Sequence, residues 1–131
     1  MDAGFNKILI VEDDLSQKVL WNHVVARMGR GASIVWGVSS EQAKKLIHES
    51  QRTNTPFDLI IVDLFLAGSD TGLDFLKSQE VKSQNAKTIL VSAADQTSLE
   101  SHLKIELSQT KLITKPLSIA KCERVISEMF H

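Results

Sequence analysis

Short runs of Ile, Val and Leu recur along the chain and are separated by longer, more polar segments. Most of these runs lack the alternation of apolar and polar residues that marks a strand with one face in solvent. Continuous apolar runs of this length are typical of parallel strands that are covered on both faces. The pattern therefore predicts five buried strands, at 7–11, 33–38, 59–63, 88–92 and 111–114.

The intervening segments carry apolar residues at helical spacing. Trp21, Val24, Val25 and Met28 lie at positions i, i+3, i+4 and i+7, and two glycines follow shortly afterwards as stop signals. A serine that can cap the first turn precedes two further patterns of this kind. One further helix is predicted to begin after Ser39 or Ser40, and another to begin after Ser118. Two more are predicted around 72–83 and around 97–107.

A strand followed by a helix, repeated along the chain, predicts an α/β fold in which helices cover both faces of a parallel sheet. In sheets of this kind, functional residues gather in the crevice at the carboxyl ends of the strands. The residues that follow each predicted strand are therefore the first candidates for chemistry.

Composition and charge narrow the class of protein. The chain has 131 residues, which suits one compact domain, and its formal net charge of −1 does not indicate an electrostatic binder of nucleic acid or membranes. Cys122 is the single cysteine, so an internal disulfide is impossible. No segment has the pattern of a signal peptide or the length of a membrane span. We therefore expect a cytoplasmic protein.

Charged and hydroxyl residues follow four of the predicted strands. The first strand runs into the acidic residues 12–14, the third ends in Asp63, the fourth ends in Ser92, and the fifth runs into Lys115. If the first and third strands are neighbours, several carboxylates share one small space, and their repulsion favours a divalent cation such as Mg²⁺. Carboxylates, a cation, a hydroxyl and a lysine together indicate phosphoryl transfer, in which an aspartate can itself be the nucleophile.

With these residues in place, the chain resembles the receiver domain of two-component response regulators, in the form of a stand-alone, chemotaxis-regulator-like protein. The motifs "ILIVEDD", "LIIVDLFLAG", "ILVSAAD" and "LITKPL" occur in that family's order, and the similarity extends from Lys7 to Phe130. The resemblance implies a three-layer, flavodoxin-like, doubly wound sheet of five parallel strands in the order 2-1-3-4-5. It also implies a single receiver domain over 1–131, with its core at about 7–130 and no output domain.

The resemblance assigns a role to each residue of the phosphoryl-transfer chemistry. Asp63 falls on the phospho-accepting aspartate, Ser92 on the Ser/Thr that bonds the phosphoryl group, and Lys115 on the lysine that pairs with it. Pro116 falls on the residue that follows this lysine, often after a cis peptide bond. These assignments explain why a carboxylate ends the most apolar strand of the chain.

The resemblance also implies a Mg²⁺ site. Glu12 and Asp13 fall on the acidic pair that holds the metal, with Asp13 the direct ligand and Glu12 acting through water. Asp63 and the backbone carbonyl of Phe65 complete the protein ligands. Asp14 is interpreted as a cap of the following helix rather than as a ligand.

The function implied is that of a phospho-accepting switch rather than an enzyme that acts on other substrates. It would take a phosphoryl group from a histidine kinase or a histidine phosphotransfer protein and signal to a downstream protein target, as a monomer or weak dimer, without binding nucleic acid. Two alternatives stay open. One is an interaction module that keeps the fold but works without phosphorylation, and the other is an Mg²⁺-dependent phosphohydrolase with an aspartyl nucleophile.

The chain departs from the family pattern at four positions. Phe65 and Ala94 are apolar where polar side chains of relatives often orient the hydrolytic water, so we expect slow loss of the phosphoryl group. Leu112 replaces the usual aromatic switch residue, which predicts a weaker or different route of output. Ala67 replaces a proline, a change that affects the shape of a loop more than its chemistry.

Overall fold

The computed structural model describes residues 5–28, 31–66, 68, 70–93 and 109–130. Its centre is a five-stranded sheet in which every neighbouring pair is parallel, in the order β2-β1-β3-β4-β5. The predicted fold class and strand order are thus confirmed. The strands are β1 (Lys7–Val11), β2 (Ser33–Gly37), β3 (Leu59–Asp63), β4 (Lys87–Ser92) and β5 (Thr110–Thr114).

The strand register brings the predicted functional residues to one edge of the sheet. Asp63 lies opposite Val91, and Ser92 lies opposite Thr114, the last residue of β5. On the other side of β3, Val62 lies opposite Val11, the last residue of β1. Because the strands are parallel and end at similar heights, the segments that follow them meet at this carboxyl-end edge.

Helices cover the sheet, and serine side chains cap several of them. Ser39, one of the two predicted caps of the second helix, accepts a hydrogen bond from the backbone N–H of Gln42 at 3.1 Å. Ser118 caps the last helix in the same way through the N–H of Lys121. The described helices are α1 (Leu15–Met28), α2 (Ser40–Arg52), α3 (Gly72–Leu76), α4 (Gln79–Lys82) and α5 (Ile119–Met129).

The helix predicted around 72–83 is two short helices, α3 and α4. Ser78 adopts an extended backbone conformation between them, with φ of −69° and ψ of 155°. Its hydroxyl accepts a hydrogen bond from the N–H of Val81 and so starts a new helix. The apolar spacing on either side of Ser78 could not reveal this local competition from a capping side chain. The helix predicted around 97–107 lies outside the described residues.

The hydrophobic core consists of two layers, one on each face of the sheet. On one face, α1 and α5 pack against the strands through buried residues such as Trp21, Val24 and Ile126. On the other, α2, α3 and α4 do so through residues such as Ile47 and Phe75. An ion pair between Arg27 and Glu123 joins α1 to α5 at the surface. None of the described helices has the length and apolar character needed to cross a membrane.

Candidate functional site

Asp63 is a buried carboxylate at the end of the central strand. Asp63 is only 4% exposed. One carboxylate oxygen, Oδ2, lies 2.5 Å from Nζ of Lys115, and the other, Oδ1, accepts the backbone N–H of Phe65 at 2.9 Å. The backbone just beyond it is held by a hydrogen bond of 2.8 Å from the N–H of Leu64 to the carbonyl of Val91. Both carboxylate oxygens are therefore oriented by the surrounding fold.

Lys115 follows β5 and reaches Asp63 from the far side of β4. Its backbone N–H donates to the carbonyl of Ser92 at 2.9 Å, and the peptide bond to Pro116 is cis. Burial alone would lower the pKa of Lys115, but the hydrogen bond and negative charge of Asp63, together with the charges of Glu12 and Asp14, raise it above its ordinary value. The Lys115 ammonium is therefore held in its charged form beside Asp63.

Glu12 lies immediately after β1 and is also buried, at 4% exposure. Its Oε1 accepts the backbone N–H of Asp14 at 3.0 Å. The pKa of Glu12 is raised to about 7, mainly by burial and in addition by a hydrogen bond to Asp63 and the charge of that carboxylate, while the Asp14 N–H and Lys115 act in the opposite direction. Glu12 and Asp63 thus form the close acidic pair that neighbouring β1 and β3 were expected to create.

The other two acidic residues after β1 differ from Glu12. Asp13 has an exposed side chain. Asp14 accepts both the backbone N–H and the hydroxyl of Ser16, at 2.8 and 2.7 Å, and these hydrogen bonds lower its pKa. Asp14 therefore caps the start of α1, the role that the sequence analysis gave it.

The oxygen donors at this edge have the chemistry that Mg²⁺ prefers. Glu12 and Asp63 are close enough to share a hydrogen bond, and a hard cation would relieve the repulsion between their charged forms. Within the described ranges, however, no three His, Cys, Asp or Glu side chains are grouped so as to hold a metal ion. The structure therefore brings together two of the three predicted acidic ligands and leaves Asp13 exposed beside them.

Ser92 ends β4 and is fully buried at 0% exposure. It lies on the strand between β3, which carries Asp63, and β5, which leads to Lys115. Its backbone carbonyl binds the N–H of Lys115. The predicted hydroxyl donor is thus on the strand that separates the acid from the lysine.

Gly72 was not identified from the sequence, yet it packs directly against the backbone of Asp63. A Cβ atom at position 72 would lie 2.2 Å from the carbonyl oxygen of Asp63 and 3.0 Å from Cα of Leu64. The N–H of Gly72 donates to the carbonyl of Leu64 at 2.7 Å. The sequence signal is the second glycine of "GSDTG", but only the folded chain shows what it contacts.

Side chains also hold Asp70 and Thr71, the two residues before α3. Asp70 accepts the hydroxyl of Ser40 at 2.9 Å and lies 3.7 Å from Nζ of Lys44, so α2 holds the loop from the side. Thr71 and Asp74 form a capping box at the start of α3. These contacts anchor the segment that follows Asp63.

Large exposed apolar side chains occur in the segments that follow several strands. Phe65, two residues after Asp63, is 69% exposed, and Leu15, the first residue of α1, is 74% exposed. Across the part of the chain that the structure describes, the other large apolar residues with high exposure lie in the segments that follow β1, β2 and β5. These are Val19, Val38 and Ile119. We call these five residues the apolar rim.

The sequence matches the family described as "Response regulator receiver domain" over residues 8–127. The chain belongs to the response regulator receiver domain family. Members of this family are generally signalling proteins rather than enzymes. No curated protein sequence matches this receiver domain.

Solved structures agree with this assignment at the level of the fold. A CheY-like receiver domain protein from Methanospirillum hungatei superposes with a TM-score of 0.75 and 18% identity, over 96% of this chain and 94% of that one. The chemotaxis protein CheY4 of Vibrio cholerae gives 0.72 and 18%, over 95% and 98%. The phosphorylated cyanobacterial phytochrome response regulator RcpA gives 0.70 and 17%, over 95% and 91%.

The structure describes two of the four residues that depart from the family pattern. Phe65 is exposed, and its backbone N–H donates to Asp63. Leu112 is half-buried and packs against the core layer that contains Leu90. Ala67 and Ala94 lie outside the described residues.

Proposed function

We propose that this receiver domain accepts a phosphoryl group on Asp63 from a histidine of a kinase or phosphotransfer protein and signals through contact with a downstream protein. The observation that carries the proposal is the position of Asp63, a buried carboxylate within 2.5 Å of a charged lysine and beside Glu12. A structural aspartate at a strand end has no need of both neighbours.

The residues supply what the transfer requires. A carboxylate oxygen of Asp63 attacks the phosphorus of the phosphohistidine, the P–N bond breaks, and the imidazole leaves with the electron pair of that bond. Lys115, already in place, would pair with the phosphoryl oxygens, and the hydroxyl of Ser92 would donate a hydrogen bond to one of them. The acyl phosphate formed on Asp63 is the signalling state.

Mg²⁺ is part of the proposal. Glu12, Asp13, Asp63 and the backbone carbonyl of Phe65 would hold it, with waters completing the shell. When bound, the ion neutralises the negative charge that accumulates between the carboxylates and the phosphoryl group. Asp13 is exposed and directly follows Glu12 along the chain.

The apolar rim is consistent with a phosphoryl donor that is a protein rather than a small molecule. Asp63 is nearly inaccessible, so a donor imidazole reaches it only if the surface that carries the imidazole contacts the surrounding residues. Exposed apolar side chains concentrated at one edge are typical of surfaces that bind proteins. The net charge of the chain does not favour binding to nucleic acid. We further propose that the domain acts in the cytoplasm as a monomer or weak dimer.

The alternatives fit the site less well. A module that works without phosphorylation has no use for a lysine held against a buried aspartate. A phosphohydrolase that acts on other substrates requires a group to activate water next to Asp63, and the side chain at position 65 is apolar. Phe65 is better suited to protecting an acyl phosphate than to hydrolysing one.

The test is incubation with acetyl phosphate, with and without Mg²⁺, followed by intact-mass analysis of wild type and Asp63→Asn. We expect the wild type to gain the mass of one phosphoryl group in a Mg²⁺-dependent manner, and hydroxylamine to remove it. Equal labelling of Asp63→Asn would show that the acceptor is elsewhere. No labelling of the wild type under any of these conditions would favour the phosphorylation-independent module.

A further inference from the structure

Lys121 makes contacts that its position in a helix does not explain. It lies in the first turn of α5, where Ser118 already caps its backbone N–H. A cation in the first turn is disfavoured by the helix dipole, whose positive end lies there. The stability of α5 therefore gives no reason for a lysine at this position.

The ammonium group of Lys121 instead binds the turn between β5 and α5. Its Nζ donates to the carbonyl oxygen of Thr114 at 3.0 Å and to that of Pro116 at 3.1 Å. These two carbonyls belong to the residues on either side of Lys115. Hydrogen bonds from a charged donor are stronger than those between neutral groups. One side chain thus fixes the backbone on both sides of the lysine that pairs with Asp63.

We infer that Lys121 is a positioning residue for Lys115, and that it sets the reach of the Lys115 ammonium to Asp63 by holding the carbonyls of Thr114 and Pro116. This inference rests on the proposed function, in which Lys115 pairs with the phosphoryl group on Asp63. A lysine side chain has a flexible four-carbon stem, so its charge is only as well placed as the backbone that carries it. The backbone N–H of Lys115 is tied to Ser92, and Lys121 restrains the carbonyl side of the same turn.

The test compares four single variants and one double variant for the rate of phosphorylation by acetyl phosphate in the presence of Mg²⁺. Lys121→Met keeps the length of the side chain and removes the charge, and Lys121→Arg keeps a donor that can reach both carbonyls. Lys45→Met is the matched control, because Lys45 is an exposed lysine of α2 that pairs with Glu41 of the same helix. Lys115→Met provides the background for a double-mutant cycle.

We expect Lys121→Met to slow phosphorylation by about tenfold, since small misplacements of a reacting group carry costs of this order. Lys121→Arg should recover most of the rate, and Lys45→Met should match wild type. In the Lys115→Met background, Lys121→Met should have no further effect, because no ammonium remains to be positioned. An equal slowing in that background, or a wild-type rate in Lys121→Met, would overturn the inference.

A second measurement separates this inference from the proposed function. The NMR chemical shifts of the Lys115 backbone amide and of its side-chain carbon next to the ammonium, recorded in the unphosphorylated protein, should move in Lys121→Met and stay close to wild type in Lys121→Arg. If wild type is never phosphorylated but these signals move as expected, the proposed function fails and the positioning role stands. If Lys121→Met leaves both signals unchanged, the positioning role fails whatever the phosphorylation result.

Discussion

Replacing Gly72 by alanine should displace the backbone that carries Asp63 and slow its phosphorylation. The added Cβ would lie 2.2 Å from the carbonyl oxygen of Asp63 and 2.8 Å from its carbonyl carbon, whereas ordinary contacts begin at 3.4 Å. The two segments must therefore separate by about 1.2 Å, from 3.4 minus 2.2. Both are backbone, so no flexible side chain can move aside.

The cost can be estimated from the behaviour of overpacked sites. Inserting a methyl group into a packed region typically costs about 1–3 kcal/mol of unfolding free energy. A displacement of about 1 Å at a reacting group can cost up to about a hundredfold in rate. Gly72 begins α3, where alanine is the better helix former, so any loss of stability must come from the contact rather than from helix propensity.

Urea unfolding and the acetyl phosphate reaction measure the two effects separately. Gly37→Ala is the matched control, because a Cβ there would meet Leu46 and Ala43 at ordinary distances of 3.5 and 3.6 Å. We expect Gly72→Ala to lose stability and rate, and Gly37→Ala to change little. Wild-type stability and rate in Gly72→Ala would refute the packing argument. Lost stability with an unchanged rate would show that the contact does not position Asp63.

Four further predictions address the metal site, the lifetime of the phosphoryl group, the output route and pH. Asp13→Ala should abolish Mg²⁺ binding and phosphorylation, whereas Asp14→Ala should chiefly lose its cap of α1, which urea unfolding would show as a lower midpoint. Equal loss of metal binding in both variants would reject the ligand choice. Phe65→Asn should accelerate decay of the phosphorylated protein, followed by intact mass, because its amide can orient the attacking water; an unchanged decay would contradict this. Leu112→Tyr should enlarge the amide shifts along β5 when a phosphoryl mimic such as beryllofluoride binds, and identical shifts in both proteins would show that the missing aromatic is irrelevant. Folding raises the pKa of Glu12 from 4.5 to about 7, so the folded protein binds the carboxyl proton more tightly than the unfolded chain does. The stability of the metal-free protein should therefore fall as pH rises from about 4.5 to about 7. Glu12→Gln should remove this pH dependence, and its persistence in the variant would contradict the assignment.

Most of the fold could be predicted because the strands of this sheet are buried on both faces. β1 and β3 begin and end at the predicted residues, and β2, β4 and β5 differ from the prediction by one residue at one end. The break between α3 and α4 could not be predicted in this way, because it depends on whether the hydroxyl of Ser78 caps a new turn. That local competition leaves no mark in apolar spacing.

The site was predictable in its residue types and less so in its contacts. The rule that strand ends carry function leads to Glu12, Asp63 and Lys115, and the structure places these three together. The same rule does not predict that Gly72 packs against Asp63 or that Lys121 binds the carbonyls on either side of Lys115. Both depend on the close approach of segments that are distant along the chain or that lie across a turn.

The central claim is that Asp63 is the residue that carries the phosphoryl group. The most direct measurement is to phosphorylate the wild-type protein, reduce the acyl phosphate with borohydride and locate the modified residue by tandem mass spectrometry. Reduction converts a phosphorylated aspartate to homoserine, and the account predicts homoserine at position 63 and unmodified aspartate at positions 13, 14 and 70. Homoserine at any of those three positions, with Asp63 intact, would contradict it.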